Sequence, residues 1–238
     1  MKKLNRKTLI SLSTNLILGV ILCTVFLLGF TGGGVVSIYG ERKNEPIYRG
    51  NTQSKKISLM FNVYENTEIV NSIIDTLDGY KVKATFFVGG CWADDNEITL
   101  KKIVSSGHEI ANHGYFHKDH KDLSYENNVK EIKNTNVVVE SLCGVMPVLF
   151  APPSGSFSDV TLCAAEDLGM KTVMWSKDTI DWRDKDINKI ISRATKNLAG
   201  GDLILMHPKA HTLSALPKII EYAVSNGFII CSVSENLL

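Results

Sequence analysis

The sequence predicts an α/β domain in which helices cover a parallel β-sheet. From Lys56 onward, short apolar runs alternate with helical patterns. Several of these runs, such as residues 57–63, lack the polar alternation of a strand with one solvated face, which indicates strands buried on both faces. No glycine-rich phosphate loop follows the first run, which disfavours a nucleotide-binding sheet. An open doubly wound sheet and a closed barrel both fit this alternation.

Capping residues and glycines set the predicted limits of the elements. Asn66 or Thr67 begins the first helix, whose apolar residues share one face, and Gly79 ends it. Further helices are predicted at residues 97–106, 124–142, 158–169, 186–198 and 214–225. Strands are predicted at residues 57–63, 84–88, 108–111, 147–151, 171–175, 202–206 and 228–233.

The N-terminal segment predicts a membrane anchor. Basic residues 2, 3, 6 and 7 precede an uncharged run at residues 9–30, which is long enough to cross a bilayer as a helix. The basic flank is expected in the cytoplasm and the rest of the chain outside. The predicted parts are a cytoplasmic tail at 1–7, a single transmembrane anchor at 8–30, a linker at 31–55 and the folded domain at 56–238. A cleaved signal peptide and a buried helix are the alternatives.

Charge and cysteine content exclude several functional classes. The formal net charge is +1 over 238 residues, so the chain has no basic field of the kind that nucleic-acid binding needs. None of the five cysteines belongs to a Cys-x2-Cys pair, which argues against a zinc ribbon or a disulfide framework. Neither nucleic acid nor a nucleotide is therefore a predicted partner.

Polar and aromatic residues recur where the predicted strands end. They are Asn62 after the first strand, His113 and His117 after the third, residues 152–155 after the fourth, Asp178, Asp181 and Trp182 after the fifth, and His207 after the sixth. Two imidazoles four residues apart can share a metal ion, although a loop with two solvated histidines is the alternative. Because function in parallel α/β folds sits at the carboxyl ends of the strands, these residues are predicted to form one site.

Three stretches carry a family resemblance. They are Asn-His-Gly-Tyr-Phe-His at residues 112–117, Asp-Thr-Ile-Asp-Trp at 178–182 and Leu-Ile-Leu-Met-His at 203–207. With them, the chain from residue 56 to 238 resembles the polysaccharide deacetylases, which are the family-four carbohydrate esterases with a NodB-type domain. The resemblance implies a distorted (β/α) barrel of about seven parallel strands. It also implies metal-assisted removal of acetyl groups from cell-wall polysaccharide, with a membrane-anchored, sporulation-associated branch the most similar.

The resemblance assigns expected roles to several residues. His113 and His117 would bind a divalent metal, most simply zinc. His207 would protonate the leaving amine, and Asp181 would orient it. Trp182 would form one wall of the sugar-binding groove, and Leu205 would line the pocket for the acetyl methyl group. The remaining candidates for sugar contact are Pro153 and Tyr115.

The first and third family motifs are altered in this chain. Asn62 stands where the family has its general base, and Val63 stands where it has a carboxylate metal ligand. An amide cannot take a proton from water near neutral pH, and valine cannot bind a metal. Ala151 replaces the arginine that would brace the base. Glu65 is the nearest possible substitute, and an exposed carboxylate at the start of the next helix is the alternative.

Three functions therefore remain open at this point. The first is a membrane-tethered hydrolase of acetamide groups in cell-wall glycan. The second is a glycan-binding or scaffolding pseudoenzyme, and the third is a metal hydrolase with an unrelated substrate. The first predicts a carboxylate beside His113 and His117, whereas the second predicts Asn62, Val63 and Tyr64 packed in its place.

Overall fold

The computed structural model describes residues 15–20 and 45–238. The chain divides into two units, Met1–Lys43 and Asn44–Leu238. In the first unit, residues 15–20 form a helical segment with exposed side chains. Most of the anchor predicted at residues 8–30 lies outside the described residues. Within those that are described, no helix has the length and apolar character needed to span a bilayer.

Eight parallel strands form the sheet of the second unit. They are β1 (Lys56–Val63), β2 (Thr85–Val88), β3 (Glu109–Asn112), β4 (Leu149–Phe150), β5 (Lys171–Thr172), β6 (Lys177–Asp178), β7 (Leu203–Met206) and β8 (Ile229–Ile230). The hydrogen-bonded order is β5-β4-β3-β2-β1-β7-β6, and β8 pairs with the start of β1. β1 pairs with β2, β7 and β8, and it is the longest strand and almost wholly buried.

The sheet is curled into a half-barrel. Its two ends, β5 and β6, are separated in the chain by residues 173–176 only, so the sheet must bend to bring them near each other. In the described chain, the strand pairings do not join β5 to β6, and the barrel stays open there. The predicted α/β fold of parallel strands is confirmed in this coarser form.

Most helices cover the outer face of the sheet, whereas Val233 of the last helix packs with Met60 and Phe87 on the inner face. The helices are α1 (Thr67–Gly79), α2 (Gly90–Asp95), α3 (Glu97–Ser105), α4 (Tyr125–Cys143), α5 (Asp159–Asp167), α6 (Ile187–Thr195), α7 (Ala210–Ser225) and α8 (Val233–Asn236). Ser124 caps α4 by accepting the N–H of Asn127, and Gly144 ends it in the left-handed conformation. Between sheet and helices lies the main core, where Phe61 and Phe86 stack at 5.3 Å.

The short elements differ from their predictions. α2 was not predicted, and the strand predicted at residues 171–175 is replaced by two short strands, β5 and β6. The strand predicted at 228–233 shortens to β8 because Ser232 caps α8 immediately afterwards. These elements are too short to produce a periodic sequence signal.

The folded unit begins before the predicted boundary at residue 56. Ile47 forms a parallel bridge with Val173, and the guanidinium of Arg49 lies 3.0 Å from the buried carboxylate of Asp202. The compact unit starts at Asn44, so part of the predicted linker packs against the domain.

Candidate active site

A cleft of about 540 Å³ opens at the carboxyl ends of the strands. Its walls come from the loops after β1, β3, β4, β5, β6 and β7. The lining residues are Asn62, Tyr64, Glu65, His113, His117, Ser154, Gly155, Trp175, Asp178, Trp182, Leu205, His207, Pro208 and Lys209. The structure thus brings His113, His117 and His207 together, although they lie far apart in the sequence.

One wall of the cleft carries a hydrogen-bonded histidine–aspartate pair. His207 Nδ1 lies 2.7 Å from Asp181 Oδ1, and the backbone N–H of His207 donates to Oδ2 of the same carboxylate at 2.7 Å. Thr212 also donates its hydroxyl to Oδ2 at 2.6 Å. Burial raises the pKa of Asp181, but the hydrogen bonds from His207 and Thr212 outweigh burial and hold that pKa below its ordinary value.

His113 is held in one orientation by a backbone carbonyl. Its Nδ1 donates to Ala151 O at 2.7 Å, so in the neutral ring Nε2 carries the lone pair. Burial is the main reason that the pKa of His113 falls to about 3, and the charges of neighbouring imidazoles lower it further. The ring is therefore neutral near pH 7.

His117 sits beside His113 on a tightly turned loop. The ring centroids of the two imidazoles are 5.2 Å apart, and the ring of Tyr64 lies 5.1 Å from His117 on another side. His117 has a φ of 53°, in the left-handed region that non-glycine residues seldom adopt. Burial lowers the pKa of His117 below its ordinary value.

A buried carboxylate outside the cleft supports this loop. Glu131, only 4% exposed on the inner face of α4, accepts the backbone N–H groups of Tyr115 and Phe116 at 3.0 and 2.7 Å. Its other carboxylate oxygen lies 3.0 Å from the ammonium of Lys118. Glu131 thereby fixes the backbone that presents His117.

At the end of β1, Asn62 and Val63 stand where the family resemblance implies two carboxylates. Asn62 is 6% exposed, and its Oδ1 has no hydrogen-bond partner. Val63 is fully buried in the main core, and the ring of Tyr64 packs over Gly89 as well as against His117. The pseudoenzyme hypothesis predicts packed side chains at these positions, whereas the hydrolase hypothesis predicts a carboxylate beside the histidines.

Glu65 lines the cleft but forms an ion pair with Lys209 at its rim. That pairing engages the carboxylate that could have replaced the missing metal ligand. Among residues 15–20 and 45–238, no group of three His, Cys, Asp or Glu side chains could share one ion. Because a catalytic zinc site needs three protein ligands, the residues present do not fit one.

The predicted sugar-contacting residues divide into two groups. Trp182 and Leu205 line the cleft, with Trp182 55% exposed and Leu205 almost fully buried. Pro153 and Tyr115 are not among the residues that line the cleft, and their contact with sugar stays a prediction. Pro153 is buried beneath Gly114, and Tyr115 packs edge-on against Phe116.

Sequence reasoning missed Glu131 and Lys209 as part of the site region. One feature of the sequence could have indicated Glu131. On the buried face of α4, polar residues occur at the helical spacing at which an amphipathic helix would have apolar ones. The pairing of Lys209 with Glu65 joins residues 144 positions apart and left no local signal.

The sequence profile described as polysaccharide deacetylase matches residues 49–173. The chain belongs to the polysaccharide deacetylase family. The predicted resemblance to the family is confirmed, and with it the assignment to the family-four carbohydrate esterases, a group of hydrolases. The membrane-anchored, sporulation-associated branch stays a prediction. Members of this family generally use a divalent metal, for which the donor set described above is incomplete.

Relatives of this polysaccharide deacetylase family member include peptidoglycan deacetylases. A peptidoglycan-N-acetylglucosamine deacetylase of Bacillus cereus is 31% identical over 189 residues, covering 77% of this chain and 88% of that protein. The Bacillus subtilis protein YlxY is 37% identical over 191 residues, covering 80% of this chain. The chain spans 60% of the length of YlxY.

Solved structures similar to this family member include a pseudoenzyme. A CE4 family pseudoenzyme from Bacillus anthracis superimposes with a TM-score of 0.80 at 35% identity, covering 82% of this chain and 69% of that one. A mutant of the same pseudoenzyme, described as having restored enzymatic activity, also has a TM-score of 0.80, at 33% identity, covering 82% of this chain and 72% of that one. The fold therefore occurs in the family both with and without catalytic activity.

Proposed function

We propose that this polysaccharide deacetylase family member binds N-acetylated cell-wall glycan of the peptidoglycan type without hydrolysing it at the rate of a complete deacetylase. The observation that carries this proposal is the contrast within one cleft. The His207–Asp181 pair is assembled, whereas the positions of the base and of the carboxylate ligand hold Asn62 and Val63.

The size and the charge of the cleft suit an uncharged sugar. Its volume of about 540 Å³ is within the usual range of ligand sites. In the described chain, the lining includes one ammonium group, that of Lys209, which is paired with Glu65. It also includes the carboxylate of Asp178, which accepts the N–H of Ile180. The exposed indole of Trp182 at the rim offers an apolar face of the kind that can contact a sugar ring.

Each remaining residue has a binding role in this proposal. Leu205 contacts the acetyl methyl group, and Trp182 contacts the sugar ring. His207, held in one orientation by Asp181, forms a hydrogen bond to the acetamide group. His113 and His117 complete the wall, with His113 fixed as a neutral acceptor through Ala151.

Hydrolysis at the family rate is not supported by these residues. A general base contributes typically 10²- to 10⁴-fold to such a reaction, and the amide of Asn62 cannot act as one. Zinc is the ion that the family resemblance implies, but the two imidazoles lack the third protein ligand of a catalytic zinc site.

Binding and acetate release measured together test the proposal. The full chain is titrated with N-acetylchitotetraose in a calorimeter, with zinc and with EDTA, and acetate is assayed in the same samples. We expect saturable binding that EDTA does not abolish, and acetate release no faster than in a protein-free control. Trp182→Ala should weaken binding, with Trp92→Phe as the aromatic control away from the cleft. Absence of binding by the unaltered protein would contradict the proposal.

A second candidate is slow deacetylation. The observation that favours it is the intact His207–Asp181 pair, whose hydrogen bonds do not depend on a metal. If acetate release from the same oligosaccharide exceeds the protein-free rate and falls in His207→Ala, this second function replaces the first. Saturable binding without acetate release above the protein-free rate supports the first function.

We also propose that the domain lies outside the cytoplasm, on an N-terminal membrane anchor. The support is the basic residues within positions 1–7 and the uncharged run at residues 9–30. A location at the cell wall agrees with a peptidoglycan ligand, and an association with sporulation remains part of this proposal. Protease added to intact cells should digest the domain, whereas protection in intact cells and digestion only after lysis would contradict it.

A further inference from the structure

The side chain of Asn62 reaches the cleft from a fixed position on β1. Asn62 pairs with Phe87 of β2, and it follows Met60 by two residues, so its side chain points to the same side of the sheet as that of Met60. Met60 and Phe87 belong to the core cluster on the inner face. Asn62 is 6% exposed and is one of the residues that line the cleft. A buried strand therefore holds its amide group and presents it to the cleft.

The two ends of this amide differ in accessibility. Oδ1 is buried without a hydrogen-bond partner, whereas Nδ2, which forms no hydrogen bond within the described part of the chain, keeps accessible surface. The end that meets the cleft is therefore the NH2 group, which is a donor. This orientation is the favourable one, because an NH2 group has two donors to satisfy and buried carbonyl oxygens without a partner occur more often than buried N–H groups without one.

The neighbouring imidazoles make a donor valuable at this point. His113 donates its Nδ1–H to a backbone carbonyl, which leaves a lone pair on Nε2 in the neutral ring. His207 uses its Nδ1 for a carboxylate and also has a lone pair on Nε2 when neutral. A carbonyl group of a ligand is itself an acceptor, so it gains nothing from these lone pairs. The NH2 group of Asn62 supplies the donor that such a carbonyl needs.

The leucine proposed to contact the acetyl methyl group lies on the adjacent strand. Met60 pairs with Leu205 of β7, so Leu205 and Asn62 stand on strands about 4.7–4.9 Å apart, and both line the cleft. In an acetyl group, the methyl group and the carbonyl oxygen are bonded to the same carbon. An acetyl group that contacts Leu205 can therefore direct its oxygen towards Asn62.

We propose that the NH2 group of Asn62 donates a hydrogen bond to the acetyl carbonyl oxygen of the bound sugar and so favours acetylated over de-N-acetylated glycan. This inference rests on the proposed function. A de-N-acetylated sugar carries an ammonium group instead, which has no lone pair to accept this bond. The position that provides a base elsewhere in the family thus serves here as a specificity-determining donor.

A comparison of ligands on two proteins tests this contact. The ligands are the methyl glycoside of di-N-acetylchitobiose, its thioacetamide analogue, in which sulfur as a weaker acceptor replaces each acetyl oxygen, and its de-N-acetylated form. Calorimetry at pH 7 in EDTA gives their affinities for the unaltered full chain and for Asn62→Ala. The larger size of sulfur affects both proteins alike, so the difference between their preferences reports the contact. We expect the preference for the oxygen ligand to be about 2- to 12-fold larger in the unaltered protein. The preference for the acetylated over the de-N-acetylated ligand should also shrink in Asn62→Ala.

A further variant separates a donor from an acceptor. Asn62→Asp has nearly the same shape but presents only oxygen to the cleft, so the additional preference for the carbonyl ligand should be lost as in Asn62→Ala. Asn127→Ala, a control on the exposed face of α4, should keep the preference of the unaltered protein. Because Asn62 Oδ1 has no partner in the free protein, the melting temperature of Asn62→Ala should change little. If Asn62→Ala does unfold, Asn62→Asp provides the comparison.

The possible outcomes are distinguishable. A preference for the oxygen ligand that is unchanged in Asn62→Ala or in Asn62→Asp overturns the role of Asn62 and leaves glycan binding intact. Failure of the unaltered protein to bind the acetylated ligand overturns the proposed function as well.

Discussion

The two halves of the cleft differ in how much of a deacetylase they preserve. On the β7 side, Asp181 accepts hydrogen bonds from His207 and Thr212 at 2.6 to 2.7 Å. On the β1 side, Asn62 has an oxygen without a partner, and Val63 belongs to the core. The difference shows that the parts of the site whose hydrogen bonds also stabilise the fold are present, whereas those needed only for a metal and a base are replaced.

His113 is also held by a hydrogen bond within the fold, although it lies on the β1 side of the cleft, where the base and the metal ligand are replaced. Its orientation depends on the carbonyl of Ala151, which any residue at that position would provide. The loop that carries His117 depends on Glu131 rather than on a bound ion. Both histidines can therefore keep their places in a protein that has no complete metal site.

Restoring the altered half should give the largest effect. With Asn62→Asp and Val63→Asp together, we expect zinc binding and acetate release from N-acetylchitotetraose at least about 10²-fold above the unaltered protein, because a base alone is worth about 10²- to 10⁴-fold. The measurements are zinc content by mass spectrometry and acetate formed per unit time.

Controls for this restoration follow from the burial of Val63. Its replacement by aspartate puts a charge into the core, so the melting temperature should fall in EDTA and recover when zinc is added. Asn62→Asp alone should bind no additional zinc. Equal rates for the unaltered protein and the double variant would show that the substitutions at these two positions are not what limits hydrolysis.

The neutral state of His113 should appear in the pH dependence of stability. Its folded pKa of about 3 lies below the unfolded value near 6.5, so between these values the unfolded chain binds one more proton. The free energy of unfolding should therefore fall as pH decreases from about 6.5, by up to about 1.4 kcal/mol per pH unit for this group. Asp181 acts in the same sense at lower pH, since its lowered pKa stabilises the fold above its unfolded value and that contribution is lost below about pH 4.

Urea unfolding at pH 7, 6, 5 and 4.5 measures this slope above the range in which Asp181 titrates. His113→Gln should reduce the slope relative to the unaltered protein. An unchanged slope would mean that the folded protein protonates His113 as readily as the unfolded chain does.

Removal of Glu131 should have a moderate effect. Glu131→Ala leaves the N–H groups of Tyr115 and Phe116 without their carboxylate acceptor, which should cost about 1.5–3 kcal/mol of unfolding free energy. Glu140→Ala is the matched control, because Glu140 is exposed on the same helix. Hydrogen exchange should become faster at Tyr115 and Phe116 in the first variant, and identical exchange in both variants would contradict the role of Glu131.

The smallest effect is expected at the rim. Glu65→Gln removes an ion pair with Lys209 that is partly exposed, and such pairs contribute about 0–1 kcal/mol. Its glycan affinity should change less than about 5-fold and should not depend on zinc. A loss of zinc binding in this variant, where the unaltered protein binds zinc, would instead identify Glu65 as the replacement ligand.

The sequence was most informative where a pattern is long or where strand ends meet. The long strand β1 and the capped helix α4 were predicted to within a few residues, because burial pattern and capping residues coincide there. His113, His117 and His207 were predicted to converge because parallel strands end at one edge of a sheet, and all three line one cleft.

Other features could not be predicted because they depend on distant contacts. The burial of Asn62 without a partner depends on what surrounds it in three dimensions, and the support by Glu131 acts between a helix and a separate loop. Strands of two residues, such as β5 and β6, exist through pairing with their neighbours rather than through their own sequence. The anchor at residues 8–30 stays a prediction.

The most direct test of the account is to follow one saturated sample over time. N-acetylchitotetraose is held at saturating concentration on the full-length protein with zinc, and the oligosaccharide is then analysed by mass spectrometry. The account predicts measurable binding with the acetyl groups retained, while the Asn62→Asp, Val63→Asp variant removes them under the same conditions. Loss of acetyl groups from the unaltered protein's sample at the rate of that variant would contradict it.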